Sequence, residues 1–98
     1  MSAPLCLFAT ITPKPEHFAA ARDAVVGILA ATRAEPGCRI FRLHADEAAA
    51  RLFLYEEWTD QAALEAHYAE PYTRAVFAAY EDWLAQPPEI MRMSPALG

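Results

Sequence analysis

The stretch Arg51-Leu52-Phe53-Leu54-Tyr55-Glu56-Glu57-Trp58-Thr59-Asp60-Gln61-Ala62-Ala63-Leu64-Glu65-Ala66-His67-Tyr68 uses two structural periods, one after the other. Over Arg51–Thr59 the period is two: Leu52, Leu54, Glu56 and Trp58 share one side, and Phe53, Tyr55, Glu57 and Thr59 the other. Beyond it, Gln61, Leu64, His67 and Tyr68 fall on one helical stripe, and Thr59 or Asp60 is placed to cap that helix. A strand running into a capped helix brings Glu56, Trp58 and His67 toward one corner.

Upstream, Cys38–Ala45 alternates as well, and the short gap Asp46–Ala50 predicts an antiparallel hairpin with Arg51–Thr59. Glu35-Pro36-Gly37 ends a preceding helix that Pro15 and Glu16 start well, as proline needs no N–H there and the carboxylate suits the dipole. Its buried face reads Phe18, Arg22, Val25, Leu29 and Thr32, with Ala21 and Ile28 beside it. Leu5–Thr12 is apolar on both faces, which predicts a central strand; Pro13 and Pro15 end it. Downstream, Pro71 restarts a helix with Tyr72, Val76, Tyr80 and Trp83 or Leu84 at helical spacing. Pro87-Pro88 stops it, and Glu89–Ser94 alternates as a last short strand. The order β-α-β-β-α-β predicts one domain over residues 1–98. Its fold class is α+β, ferredoxin-like, with helices on one face of an antiparallel sheet. The other sheet face is also apolar, which predicts a homodimer joined through the sheets.

Of the 98 residues 55% are hydrophobic, but 22 are alanine, so the larger apolar side chains suffice for one modest core. A net charge of -5 and eight scattered basic residues argue against nucleic acid, which requires clustered Lys and Arg. No apolar run reaches the length of a membrane span, and MSAPLCLFATIT lacks the basic region of a signal peptide, so a cytoplasmic protein is expected. Cys6 and Cys38 fit no zinc or CxxC pattern and read as free thiols. No GxGxxG, phosphate loop, GxSxG or HExxH occurs.

Glu35-Pro36-Gly37-Cys38, Tyr55-Glu56-Glu57-Trp58 and Ala63-Leu64-Glu65-Ala66-His67, with Pro87-Pro88-Glu89 leading into the last strand, resemble the antibiotic biosynthesis monooxygenase family. Its pattern is EPGC, then YExW, then xALxxH. The resemblance spans nearly the whole chain. It implies a dimeric α+β barrel and a monooxygenase that oxidises quinols or anthrones with O2, using no flavin, haem or metal. Two departures stand out. Many members have a histidine where this chain has Tyr72. The haem-degrading relatives need an asparagine near Ala9 and a histidine near Phe77, so haem chemistry is disfavoured.

Among the candidate site residues, His67 is the one strong acid–base group, able to take a phenolic proton at neutral pH or else to fix the helix through a carbonyl or Glu56. Trp58 offers either a stacking surface and an N–H donor or a core plug at the strand–helix corner. Glu56 is placed to orient His67 or to pair with Arg42 across the hairpin. Tyr68, Tyr72, Phe77 and Tyr80 form either cavity walls or ordinary core. His17 and His44 read as solvent-side. The leading expectation is a cofactor-independent monooxygenase for a small hydroxylated aromatic. The alternatives are an isomerase or cyclase using His67 without oxygen, and a non-catalytic dimeric binding protein.

Overall fold

The computed structural model describes residues 3–96. Its strands are β1 (Leu5–Ile11), β2 (Cys38–Asp46), β3 (Arg51–Trp58) and β4 (Glu89–Met93). Its helices are α1 (Phe18–Val26), α2 (Leu29–Arg33), α3 (Gln61–Ala69) and α4 (Pro71–Trp83). The strands form one antiparallel sheet in the order β2-β3-β1-β4. This is the α+β, ferredoxin-like arrangement the sequence predicts, with β1 interior. No helix of the described residues is long and apolar enough to cross a membrane.

Strand register explains the layering. Leu7 lies opposite Glu56, Ala9 opposite Leu54 and Ile11 opposite Leu52, while Phe41 of β2 meets Glu56 from the other side. These side chains point the same way and are buried together with Trp58, Leu64, Ala21, Val25 and Tyr80, so the core fills the space between sheet and helices. Cys6, Phe8, Thr10, Phe53 and Tyr55 alternate with them and face away.

The structure corrects the expectation of one continuous helix before Gly37. A single 3₁₀ turn at Pro15–His17 precedes α1, and the helix breaks at Gly27-Ile28 before resuming as α2. Glycine is the weakest helix former after proline, and here the Ile28 N–H turns back to the Val25 carbonyl at 3.0 Å. The break swings Ile28 toward the sheet. Arg22 is not inward-facing; it reaches Asp23 at 3.1 Å and Glu47 at 3.6 Å. Gln61 likewise leaves the inner stripe of α3 for solvent, while Leu64 and His67 remain buried. Asp60 is the cap, its carboxylate accepting from the Ala63 N–H at 2.8 Å. Tyr80 ties α4 to α1 by donating to the Ala21 carbonyl at 2.7 Å.

The turn between α2 and β2 presses directly on α3. The Gly37 carbonyl accepts from the Thr59 N–H at 2.9 Å, and a Cβ at Gly37 would overlap the Ala63 Cβ and come within 3.1 Å of Thr59 Oγ1. Glycine is required by this close approach. Gly37→Ala is therefore expected to destabilise the fold by about 1–3 kcal/mol, the usual range for overpacking, as measured by urea denaturation. Adding Ala63→Gly to G37A should recover much of that loss.

Candidate active site

The contact at Gly37 holds the neighbouring Glu35 against α3. Glu35 Oε2 accepts a hydrogen bond from His67 Nδ1 at 2.9 Å and a second, short one from the Tyr72 hydroxyl. Because the carboxylate can only accept, the proton of a neutral His67 resides on Nδ1 and leaves Nε2 as the lone-pair nitrogen. Thr73 Oγ1 lies 3.4 Å from the same Nδ1. The imidazole is 3% exposed and packs on Trp58, with ring centroids 4.7 Å apart, and edge-on against Phe41 at 5.5 Å. Burial, followed by the Glu35 hydrogen bond and charge, raises the Tyr72 phenol above its usual range and keeps it a donor.

Beside His67, between the sheet and the helices, lies a cavity of about 50 Å³. Ala9, Ile11, Leu54, Phe41 and Ile90 line it from the sheet, and Val25, Ile28, Phe77 and Tyr80 from the helices. Its polar lining groups are Glu56, His67, Tyr68 and Thr73, with the Tyr80 hydroxyl already committed to Ala21. Burial raises the Tyr68 phenol, so it too is neutral. Phe77, 42% exposed, together with Pro88 and Tyr80, separates this space from an outer groove of about 420 Å³ running along Glu81, Leu84 and Pro87.

Five of the seven expected site residues therefore meet at the cavity: His67, Glu56, Tyr68, Phe77 and Tyr80. Trp58 does not face it. The indole is fully buried behind His67, and its Nε1–H donates to Glu56 Oε1 at 2.9 Å, so the corner-plug alternative is the arrangement found. Tyr72 also lies outside the lining, turned to Glu35. Glu56 neither orients His67 nor pairs with Arg42. In register Glu56 meets Phe41 while Arg42 meets Tyr55, which puts the two side chains on opposite sheet faces. The site residue missed from sequence is Glu35, which reads there as part of a helix stop and of the EPGC stretch, with no role of its own. Cys6 and Cys38 are free thiols, with Cys6 buried and Cys38 partly so; burial first, then Glu35, raises the Cys38 thiol. His44 is exposed, whereas His17 is half-buried and stacks on Trp83 at 6.2 Å.

Glu56 is 6% exposed and forms no ion pair among the described residues. Burial raises its carboxyl to about 7, partly offset by the Trp58 hydrogen bond and reinforced by Glu35.

These features define a class: a two-layer α+β domain with a buried Glu–His pair opening on an apolar cavity. Residues 4–79 match the antibiotic biosynthesis monooxygenase family, and the chain belongs to it. The chain is 27% identical over 95 residues to Putative monooxygenase Rv0793 of Mycobacterium tuberculosis, covering 97% of this chain and 94% of that one. The solved structure of Rv0793 superposes with a TM-score of 0.91 over 98% of both chains. The crystal structure of PA3566 from Pseudomonas aeruginosa, 34% identical, also gives 0.91 and covers 99% of this chain and 98% of that one. Family membership supports a monooxygenase-type function.

A carboxyl whose folded value lies above its unfolded 4.5 binds its proton more tightly in the native state, so stability falls as pH rises from about 4.5 to about 7 and then levels off. The loss is of order 3 kcal/mol. Glu56→Gln, which keeps an oxygen for the Trp58 N–H, should remove this slope. The variant should be more stable than the parent above pH 7, as read by denaturation at a series of pH values.

Proposed function

We propose that the protein is a cofactor-independent monooxygenase whose substrate is a small hydroxylated aromatic of the quinol or anthrone type. The observation that carries this reading is the imidazole of His67, fixed by Glu35 through Nδ1 and lining a largely apolar cavity. His67 Nε2 takes the phenolic or enolic proton, breaking O–H and forming N–H. The electron-rich anion passes one electron to O2, and the radical pair joins as a C–O bond to give a peroxide. His67 returns its proton to the peroxide anion, and loss of water, which takes the hydrogen of the oxygenated carbon, leaves a new carbonyl. The substrate gains one oxygen and loses two hydrogens, and the second oxygen leaves as water. The substrate itself supplies the electrons, so the protein contributes a base, a dry enclosure and donors for the developing oxyanion.

A cavity that binds benzene has about 150 Å³, so about 50 Å³ does not admit an aromatic ring without movement. Entry on this reading comes through the Phe77–Pro88 rim, which stands between the cavity and the outer groove. With 1,4-dihydroxynaphthalene, O2 uptake above the rate of spontaneous autoxidation is expected, and His67→Gln should lower it by about 10²–10⁴-fold. Turnover that proceeds equally under nitrogen would identify an isomerase or cyclase instead, and uptake unchanged in H67Q would remove His67 from the chemistry.

The same reading includes a homodimer through the outer sheet face. Phe8 and Phe53 stack there with ring centroids 6.0 Å apart, and Met91 and Met93 are exposed beside them. Light scattering is expected to give twice the chain mass of 10.9 kDa, and Phe53→Glu should return the protein to single chains.

A further inference from the structure

The cavity contains a second proton-bearing group besides His67. Glu56 projects from β3 into the same space, and its Oε1 is occupied by the Trp58 indole N–H. Among the described residues no other hydrogen bond and no ion pair involves its carboxyl. No Lys or Arg side chain pairs with it among the described residues. Glu35 and Cys38 lie toward the α2–β2 turn, His67 and Tyr68 on α3, and Tyr80 on α4. Arg92 of β4 occupies the same cross-strand row beyond Leu7, but its guanidinium is turned to Gln61 Oε1 at 2.5 Å. Below about pH 7 a carboxyl so removed from water is carried neutral, and a neutral carboxyl has one O–H to place. With Oε1 spent on the indole, the cavity is where that O–H is directed.

We infer that Glu56 is a ligand-binding proton donor, giving a hydrogen bond from its carboxyl O–H to an oxygen of the bound molecule while His67 Nε2 accepts from another. This deepens the reading above and rests on the cavity being the substrate site. The ligand class that satisfies both groups has a hydroxyl and a second oxygen acceptor on one flat apolar skeleton. In such a ligand the donor at Glu56 stabilises the charge that deprotonation at His67 creates. An ionised Glu56 would instead repel that charge, so binding weakens as pH rises through about 7, where this carboxyl ionises.

The probe is 2,3-dimethyl-1,4-naphthoquinone, which has carbonyl acceptors only, supplies no electrons and has no free ring position for cysteine to attack. Infrared difference spectra between the parent and Glu56→Gln isolate the Glu56 carboxylic C=O band, which is expected below pH 7 and should shift to lower frequency when the probe is added. Glu56→Gln, which retains an N–H donor, should bind the probe with little pH dependence, and Glu56→Leu should bind about tenfold more weakly. An absent or unmoved carboxyl band, an E56L variant that binds as the parent does, or no binding by the parent would each overturn the inference. The readout is independent of oxygen uptake: a shifted band without turnover removes the monooxygenase reading alone, and turnover with an unmoved band removes the donor alone.

Discussion

The arrangement depends on one contact, the approach of Gly37 to Ala63 that brings Glu35 under His67. The two halves of that contact come from segments about thirty residues apart, and neither is stable in its observed place without the other. Glu35 lies on a turn and would be solvated if α3 were absent. His67, on α3, would be a buried imidazole left with only the long 3.4 Å contact to Thr73 Oγ1 if the turn were displaced. A hydrogen bond to an ionised group contributes about 1.5–3 kcal/mol net, and stranding a buried donor costs a similar amount. The same bond sets the tautomer. The packing that stabilises the corner therefore also decides which nitrogen keeps the lone pair.

Two carboxyls on the helix side of the sheet occupy opposite environments. Glu35 receives the Tyr72 hydroxyl and the imidazole N–H, two donors converging on one oxygen. Glu56 receives one indole N–H and is otherwise enclosed by apolar side chains. Glu35 thus serves as a hydrogen-bond acceptor, while burial favours the neutral form of Glu56 in the same small volume. Trp58 links them, because its ring backs His67 while its N–H reaches Glu56.

The sequence made the architecture readable because its punctuation is strong. Pro13, Pro36-Gly37, Pro71 and Pro87-Pro88 fall at element ends, and the change from period two to helical period at Asp60 leaves little choice of element type. Where sequence and structure differ, two local signals compete. Gly27 is a weak helix former inside an apolar stripe that runs on through Leu29 and Thr32, so the pattern alone predicts one helix where α1 and α2 are two. Trp58 looked equally suited to stacking on a ligand and to plugging a corner, because an aromatic on an inward strand position has the same pattern in both cases. Glu35 was hidden for a different reason. Its partner lies 32 residues away, and no periodicity connects a turn carboxylate to a helix imidazole. Only the three-dimensional meeting of Gly37 and Ala63 does so.

The cavity's small size and its exposed rim are related. The wall formed by Leu54 and Ala9 belongs to the two central strands, and moving either would break pairing on both sides, while Phe41 on β2 is buried against Trp58 and His67. The opposite edge is built differently. β4 pairs with β1 alone, all five of its residues are exposed, and Pro88 immediately before it donates no backbone hydrogen bond. Regions with few buried contacts open at low free energy, whereas central strands open only near the global unfolding limit. Any expansion of the cavity is therefore directed toward Phe77, Pro88 and Ile90 and away from the Glu35–His67 corner, so space is gained where the structure is weak while Glu35, Glu56 and His67 keep their positions.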